Sequence, residues 1–584
     1  MATDYAAFMS TARRTILFAA AFLLMALTAF ADWPSSGLPI ATGPGDDSRP
    51  IGITAPGGDL LMFWNEFAAS PYVLRAQRVT IQGTLASGWP AGGRGVVSTP
   101  AGIGVPQLDT DGSDGYLLAW FDFRASGGSR GIYGIRIDAE TAVRQGWNAS
   151  GTPICTTSTP QGGPLNDLVR ICPDGAGGAF VAWTDSRNTP PMSVLVYDIF
   201  AQHILGVGTL DPAWPAEGLA MTGGAGYKYP QAMIADSQGG FFLVSDDSVT
   251  HRGSDAERLG TWGMPIYSSQ PKAMSDGAGG LFVTWHDCRN CLSIPEDGIY
   301  VMRLGPGAQP RPGWPIGGVQ VAASSRDDRN PTLTTSGGAV VVTWLETGGS
   351  PDDVFKAKRV EASGSFTFGW PTGGRAFAKS SDILDGWPLI VPDGEGGAMF
   401  AFRRNLPNLF GSRVTSTGTV PAAFPDTGLS LCSLTGDQFL HDLVSDGLNG
   451  AYVLWDDQRD GNWDVYAMRF TRAGEVGSTT SDDPPPPPTV TLPQVALSLP
   501  VPNPTFGSST FKLSLSASTR TRVEVLDLSG RSVITLLDQT VPAGTLDLEW
   551  DGRDRDGRST PPGMYLLRAR AGDDDVAQRI VRLK

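Results

Sequence analysis

An internal repeat constrains this chain more than any other feature. Its clearest phrase, DGAGGAFVAWTDSR at residues 174–187, returns as DGAGGLFVTWHDCR at residues 276–289. Turn glycines recur at Gly58, Gly115, Gly178, Gly240, Gly280, Gly338, Gly397 and Gly450, which marks eight copies of a unit of roughly 55 to 60 residues. Each copy parses into four short strands. The first, such as residues 231–235, precedes a DG or GG turn whose glycines tolerate the positive φ of a tight hairpin. The second, FVAW or FVTW, carries successive large apolar side chains, as a strand covered on both faces requires. GIYGIRI (131–137) and GIYVMRL (298–304) typify the third. The fourth is a tryptophan phrase beginning at Trp33, Trp89, Trp147, Trp214, Trp262, Trp314 and Trp370, with Phe424 in the last place.

The registration of these strands is shifted by one. The first fragment, WPSSGLPI at 33–40, is a fourth strand, and none follows DVYAMRF at 464–470. A linear stack would leave unpaired backbone groups at both ends. In a closed ring, residues 33–40 complete the copy that begins near His441. This resembles the ring closure of β-propellers, and the resemblance implies an all-β chain with an eight-bladed β-propeller over 32–472, closed by an N-terminal strand. The fourth copy is the shortest, with Gly240 and Gly280 only 40 positions apart and FFLVSDD in place of the Trp strand. Without it the ring would have seven blades.

The 584 residues are 41% hydrophobic, with 74 Gly and 45 Pro, a composition suited to a turn-rich globular protein. A net charge of −15 disfavours nucleic acid and anionic membrane surfaces as partners. Arg13 and Arg14, an apolar run at 16–30 and Ala29-Phe30-Ala31 predict a signal peptide over 1–31, with Asp32 the mature start. That run is shorter than the roughly 20 residues a spanning helix needs, and no later one replaces it. The expectation is a protein secreted or held at the outer cell surface, with no transmembrane segment in the mature chain. Its five cysteines leave at least one outside any intrachain disulfide.

After Gly474 the chain turns polar and reaches five consecutive prolines at 484–488. A spacer at 473–495 is expected, its proline run extending roughly 15 Å as polyproline II. Residues 496–584 then alternate as TFKLSLS, RVEVLDLSG, GTLDLEW and GMYLLRARA, the pattern of a small β-sandwich. Pro502-Asn503-Pro504, residues 525–531 (VLDLSGR), 550–554 (WDGRD), Gly557-Arg558, Gly563-Met564-Tyr565 and the basic end at 579–584 carry a family resemblance. The segment resembles the Ig-like domain of the flagellar hook-capping (FlgD-like) type, found as the type A sorting domain of type IX secretion. The resemblance implies an export or attachment domain engaging secretion machinery. Thr505 stands where that family commonly has phenylalanine.

Four charged pairs recur after the Trp strands: Asp122 and Arg124, Asp185 and Arg187, Asp287 and Arg289, Asp457 and Arg459. A spacing of two puts both side chains on one face of an extended strand, where they form a structural clamp between blades or, in the other reading, a charged rim for ligand. Asp109, Asp111 and Asp114 in DTDGSDG offer several hard oxygen donors within one turn, a pattern that suits calcium as well as an ordinary acidic hairpin. HDCRNC at 286–291 offers zinc donors, but the secreted setting favours a Cys288–Cys291 loop disulfide. No nucleophilic triad, HExxH, P-loop or dinucleotide fingerprint is present.

The sequence therefore predicts a binding or structural protein presenting propeller loops to a glycan or protein partner, without a catalytic residue to name and without an obligatory cofactor. The alternative is an extracellular glycan-active hydrolase or lyase with its site at the channel mouth. Ligand is expected on the face carrying the loops at 188–193, 290–297, 156–166 and 379–386. One non-repeated cluster of acid, Tyr, His or Arg side chains at the channel would discriminate the two readings.

Overall fold

The computed structural model of the protein describes residues 33–477 and 495–583, apart from 44, 68–70, 114, 125–129, 157–168, 190–194, 224–226, 266–267, 290–297, 324–326, 349–351, 382–386, 405–407, 435, 449, 498–499, 501–504, 506, 516–517, 528–530, 543 and 572–573. The leader and most of the proline spacer lie outside the described residues, as does most of each loop expected to meet ligand. The chain divides into two compact units between Thr479 and Thr480. Among the described residues everything regular is strand, save a 3-10 turn at Pro306–Ala308.

The first unit holds eight antiparallel sheets, numbered here in chain order. Their inner strands are Asp47–Thr54, Gln107–Thr110, Val169–Pro173, Ala232–Ala235, Ser268–Ser275, Asp327–Ser336, Leu389–Pro392 and Gln438–Ser445. Each inner strand touches the inner strand of the next sheet, and the eighth touches the first. Four-stranded sheets arranged about their inner strands in this way form a β-propeller. The short fourth copy makes a complete four-stranded sheet, with Phe241–Val244 as its second strand.

Second strands lie between neighbouring sheets, which explains their unbroken apolar runs. All eight residues of Gly115–Asp122 and all seven of Ala179–Asp185 are buried. The last glycine of DGxGG is required by close approach: a Cβ on Gly178 would stand 2.3 Å from the Ile204 carbonyl oxygen.

The N-terminal strand closes the eighth sheet. Leu38–Ala41 pairs antiparallel with Asp464–Thr471, Leu38 opposite Ala467 and Pro39 opposite Tyr466. Trp33, Ile40 and Ala41 share a buried cluster with Trp455, Tyr466 and Met468. The last sheet makes its own turn, with Phe470 bridging Val476, before the chain leaves it.

One expectation is corrected here. The tryptophans do not begin the fourth strands, which start five residues later in most copies, at Leu38, Arg94, Thr152, Leu219, Val319, Arg375 and Leu429. The tryptophans sit in the preceding turn and plug the next sheet: Trp147 Nε1 donates to the Gly206 carbonyl (3.1 Å), Trp314 to Ala362 (2.9 Å) and Trp370 to Ser416 (2.8 Å). Only Trp262 lies within its outer strand, Arg258–Gly263.

The second unit packs two sheets. One pairs Val495–Leu497, Ser509–Leu515 and Gly544–Trp550; the other orders Ser532–Val541, Thr519–Leu526, Gly563–Ala571 and Asp574–Arg582. Trp550, Phe511, Leu513, Val525 and Leu567 fill the space between them. Alternation had located four of these seven strands. Thr505 is buried and bridges the last strand, its amide donating to the Val581 carbonyl (2.9 Å) while the Leu583 amide donates to its own (2.8 Å).

Candidate functional site

Two kinds of polar residue occur in the first unit, and their surroundings differ. The four Asp and Arg pairs are one kind. Trp120 Nε1 donates to Asp122 (3.0 Å), Arg124 Nε donates to the same carboxylate (2.7 Å), and Arg124 Nη2 donates to the Ser150 carbonyl (2.7 Å). The guanidinium lies 4.3 Å from the Tyr133 ring centroid. The pattern repeats as Asp185 and Arg187 with Glu217 and Phe200, as Asp287 and Arg289 with Gly317 and Tyr300, and as Asp457 and Arg459 with Ser36 and Tyr466.

In each case the arginine crosses its own sheet, from the end of the second strand over the third to the turn before the outer strand. The pairs thus tie strands within one blade, and two of them also reach the preceding blade, Arg187 Nη2 meeting Cys155 Sγ (3.3 Å) and Arg459 Nη2 meeting Cys432 Sγ (3.7 Å). All four aspartates are buried, and each arginine is at least two-thirds buried. The Asp287 carboxyl is pushed up by burial but held below its usual range on balance by the hydrogen bonds of Arg289 and Trp285. In sheets 1 and 6 the equivalent Trp donates instead to Asp47 (3.0 Å) and Asp328 (3.1 Å) of the inner strand, a substitution the local spacing hid.

A second repeated carboxylate closes the hairpin between first and second strands. Asp111 accepts the Ser113 and Gly115 amides (2.8 and 3.0 Å) and Arg136 Nε (2.8 Å). Burial opposes its charge, but these bonds hold its pKa down to about 2. Asp276, Asp393 and Asp446 pair likewise with Arg303, Arg413 and Arg469, while Asp174 and Asp236 meet His203 and His251. The calcium expectation thus divides. Asp111 serves its hairpin, Asp109 lies on an inner strand with burial raising its pKa to about 6, and Asp114 lies outside the described residues. No group of three His, Cys, Asp or Glu side chains placed for a metal occurs among the described residues. Cys288 is disulfide-bonded, and Cys291 lies outside the described residues.

The other kind of polar residue is not repeated. On every inner strand one residue pairs with the position just before the buried Trp of the second strand, or before its counterpart. In sheets 2, 3, 5, 6 and 8 that residue is Gln107, Arg170, Lys272, Thr332 and Asp442. In sheets 1, 4 and 7 it is Ile51, Ala232 and Leu389. One backbone position therefore carries eight different side chains. Five of them, at 232, 272, 332, 389 and 442, line one cavity of about 220 Å³ together with Gln231, Met274 and Ile390.

This layer is electrostatically unusual. Burial lowers the Arg170 pKa to about 10, and its hydrogen bonds run to neutral oxygens: the Gln231 carbonyl (2.9 Å), Gln107 Oε1 (3.2 Å) and the Val169 carbonyl (2.9 Å). Lys272 is lowered by burial and by the like charge of Arg170, against a smaller opposing effect of Asp246. The Asp442 carboxyl is raised to about 6 by burial, although the Gly52 and Leu443 amides (both 2.9 Å) and His441 favour its charge. Sequence reasoning missed this layer because its members share a register and no common letter.

Residues 503–575 match the FlgD Ig-like domain family. That span covers the second unit's strands from Ser509 to Ala571. No curated protein matches the chain by sequence. Among solved structures, the chain is similar to the β-propeller domain of the trilobed protease from Pyrococcus furiosus, at 10% identity over 66% of this chain and 97% of that one, with a TM-score of 0.35. It is also similar to a protein of unknown function from Dyadobacter fermentans, at 11% identity over 56% and 97% of the two chains and a TM-score of 0.31. A third is PorZ, an essential surface component of the type-IX secretion system of Porphyromonas gingivalis, at 11% identity over 93% and 82%, with a TM-score of 0.22. No helix among the described residues is long and apolar enough to cross a membrane.

Proposed function

We propose that this protein is a secreted or cell-surface binding protein, built on an eight-bladed ring closed by its N-terminal strand and carrying a C-terminal export or attachment domain. The observation that carries the reading is the contrast between the two kinds of polar residue. Repeated charges are engaged in holding each blade together, while one position of the inner layer varies from blade to blade, as recognition of an asymmetric partner requires. Loops from second to third strands and from blade to blade add further variation on one face, where a glycan or protein partner docks. The test is a glycan array on the mature chain, repeated after the loops at 188–193, 290–297, 156–166 and 379–386 are replaced by Gly-Ser turns. Loss of a hit with an unchanged melting temperature supports loop recognition. An unchanged hit places it elsewhere.

The C-terminal reading rests on the match to the FlgD Ig-like domain. Residues 490–584, joined to a signal peptide and an inert cargo, are expected to carry that cargo to the surface or medium in a host with type IX machinery. Periplasmic retention of the folded fusion would reduce the segment to an ordinary Ig-like module.

A second reading, a glycan-active hydrolase or lyase, is favoured by one observation. Asp442 and Asp109 both have pKa values raised to about 6 on inner strands, as a general acid requires. Turnover of an array hit that Asp442→Asn abolishes, with binding retained, would establish it.

A further inference from the structure

Two cations of the inner layer make no ion pair among the described residues. Arg170 donates three hydrogen bonds, all to uncharged oxygens, and the Lys272 side chain makes neither an ion pair nor a hydrogen bond among the described residues. This chain has 59 acidic and 44 basic residues, so acids to pair them are plentiful. The neighbouring layers show what pairing looks like: Arg303, Arg413 and Arg469 each hold a buried aspartate. A desolvated cation left without a counter-charge is costly, and a cost of that kind is retained at sites that receive the counter-charge from outside.

The place is equally specific. Arg170 and Lys272 occupy the same register in sheets 3 and 5, on either side of the short fourth sheet. That sheet is the copy that departs most from its siblings: its second strand has four residues, Ser245 stands in place of the tryptophan, and Ala232 holds the layer position between the cations. The small side chain leaves room beside Lys272, and Gln231 joins the two cations, accepting from Arg170 through its carbonyl while lining the same cavity as Lys272. Of the nearby acids, Asp246 receives the Gln231 side-chain amide (2.7 Å) and the Tyr229 amide (3.2 Å). Across the cavity stand Thr332 and Asp442, with Leu333, Leu389 and Ile390 as apolar wall.

We propose that Lys272 and Arg170, bridged by Gln231 beside the small Ala232, form a binding site for a compact oxyanion, a carboxylate or phosphate group carried by a ligand of about monosaccharide size. The oxyanion lies between the two cations; the ligand's hydroxyl groups face Thr332 and Asp442. The cavity volume of about 220 Å³ is enough for one such ring. The site is separate from the loop recognition proposed above.

Isothermal titration calorimetry on the mature full chain with D-glucuronate, D-glucose 6-phosphate and D-glucose tests the site. One or both acidic sugars are expected to bind, with glucose at least about tenfold weaker, the loss of a charged hydrogen bond. The tighter of the two acidic sugars identifies the oxyanion. Lys272→Met should weaken the acidic sugar at least about tenfold at unchanged circular dichroism. Ala232→Glu places an internal carboxylate between the cations and should abolish binding without lowering the melting temperature. Exchange of the four loops should leave acidic-sugar binding intact. Failure of both acidic sugars to bind, equal binding of glucose, or full affinity in the folded Lys272→Met protein would each overturn the proposal.

Discussion

The outer half of each blade and its inner layer share one backbone plan, yet they are populated by opposite rules. Toward the outside the same letters recur: the Trp peg, the Asp and Arg pair, and the aromatic ring under the guanidinium, seen at Tyr133, Phe200, Tyr300 and Tyr466. At the inner layer the register recurs while the chemistry changes from Ile51 through Arg170 and Lys272 to Asp442. Repetition marks residues whose task is identical in every blade, and departure from repetition at a fixed register marks residues free to serve a single task. The two halves should therefore respond differently to substitution.

The largest effect is expected where the outer pattern also closes the unit. Deleting residues 33–41 removes the outer strand of sheet 8 and exposes an edge. A fall in melting temperature of more than about 10 °C, or association visible by size-exclusion chromatography, is expected from the packing lost. An unchanged, monomeric protein would refute closure by this strand.

Next come the clamps. Asp457→Ala leaves Arg459 without its buried anion, and breaking such a pair costs about 3–5 kcal/mol. The loss measured by chemical denaturation should exceed that of Asp185→Ala, because Arg459 also holds the N-terminal segment at Ser36. Equal losses would show that the closing clamp has no added role.

The inner layer should show itself through pH. A carboxyl whose folded pKa lies above its unfolded value of 3.8 stabilises the fold fully below that value and loses this contribution as pH rises through the folded pKa. Asp442 and Asp109, both raised to about 6, therefore predict a melting temperature that falls by a few degrees between pH 4.5 and 7. Asp111, lowered to about 2, acts in the opposite sense, but its contribution is complete above about pH 5. Asp442→Asn should reduce the slope across that window, with Asp109, Asp47 and Asp464, also raised to about 6, keeping the remainder; a slope identical to wild type would remove Asp442 from the account.

The smallest effect separates copies of the peg itself. Trp147→Phe loses the bond to the Gly206 carbonyl and should cost about 1 kcal/mol. Trp89 Nε1 is buried without a partner among the described residues, so Trp89→Phe should cost less, about zero to 0.5 kcal/mol. If the two variants lose equal stability, the indole hydrogen bond is not what fixes the peg.

Much of the architecture was legible because it is written eight times. The GG turns, the unbroken second strands and the shifted registration pointed to four-stranded sheets and to residues 33–40 completing the last copy, since a repeat turns a weak local signal into a strong one; the strand itself is Leu38–Ala41. The placement of tryptophan was misjudged by five residues because a bulky apolar letter suits both a strand and a turn that plugs a neighbour. For the Asp and Arg pairs, spacing along one strand cannot say which segment the arginine reaches; Ser150 and Glu217 come near only when the blade folds.

By itself the sequence determined the strand plan of the repeated unit and the turn at each of its first hairpins, because these depend on contacts among neighbours in the chain and on the repeat. Tertiary structure alone decided that Arg170 meets Gln107 and Gln231, and that Lys272 shares a cavity with Asp442, 170 positions later. Those meetings depend on inner strands of different sheets lying side by side. A one-dimensional pattern cannot show them, because charge, hydrogen bonding and desolvation act through space.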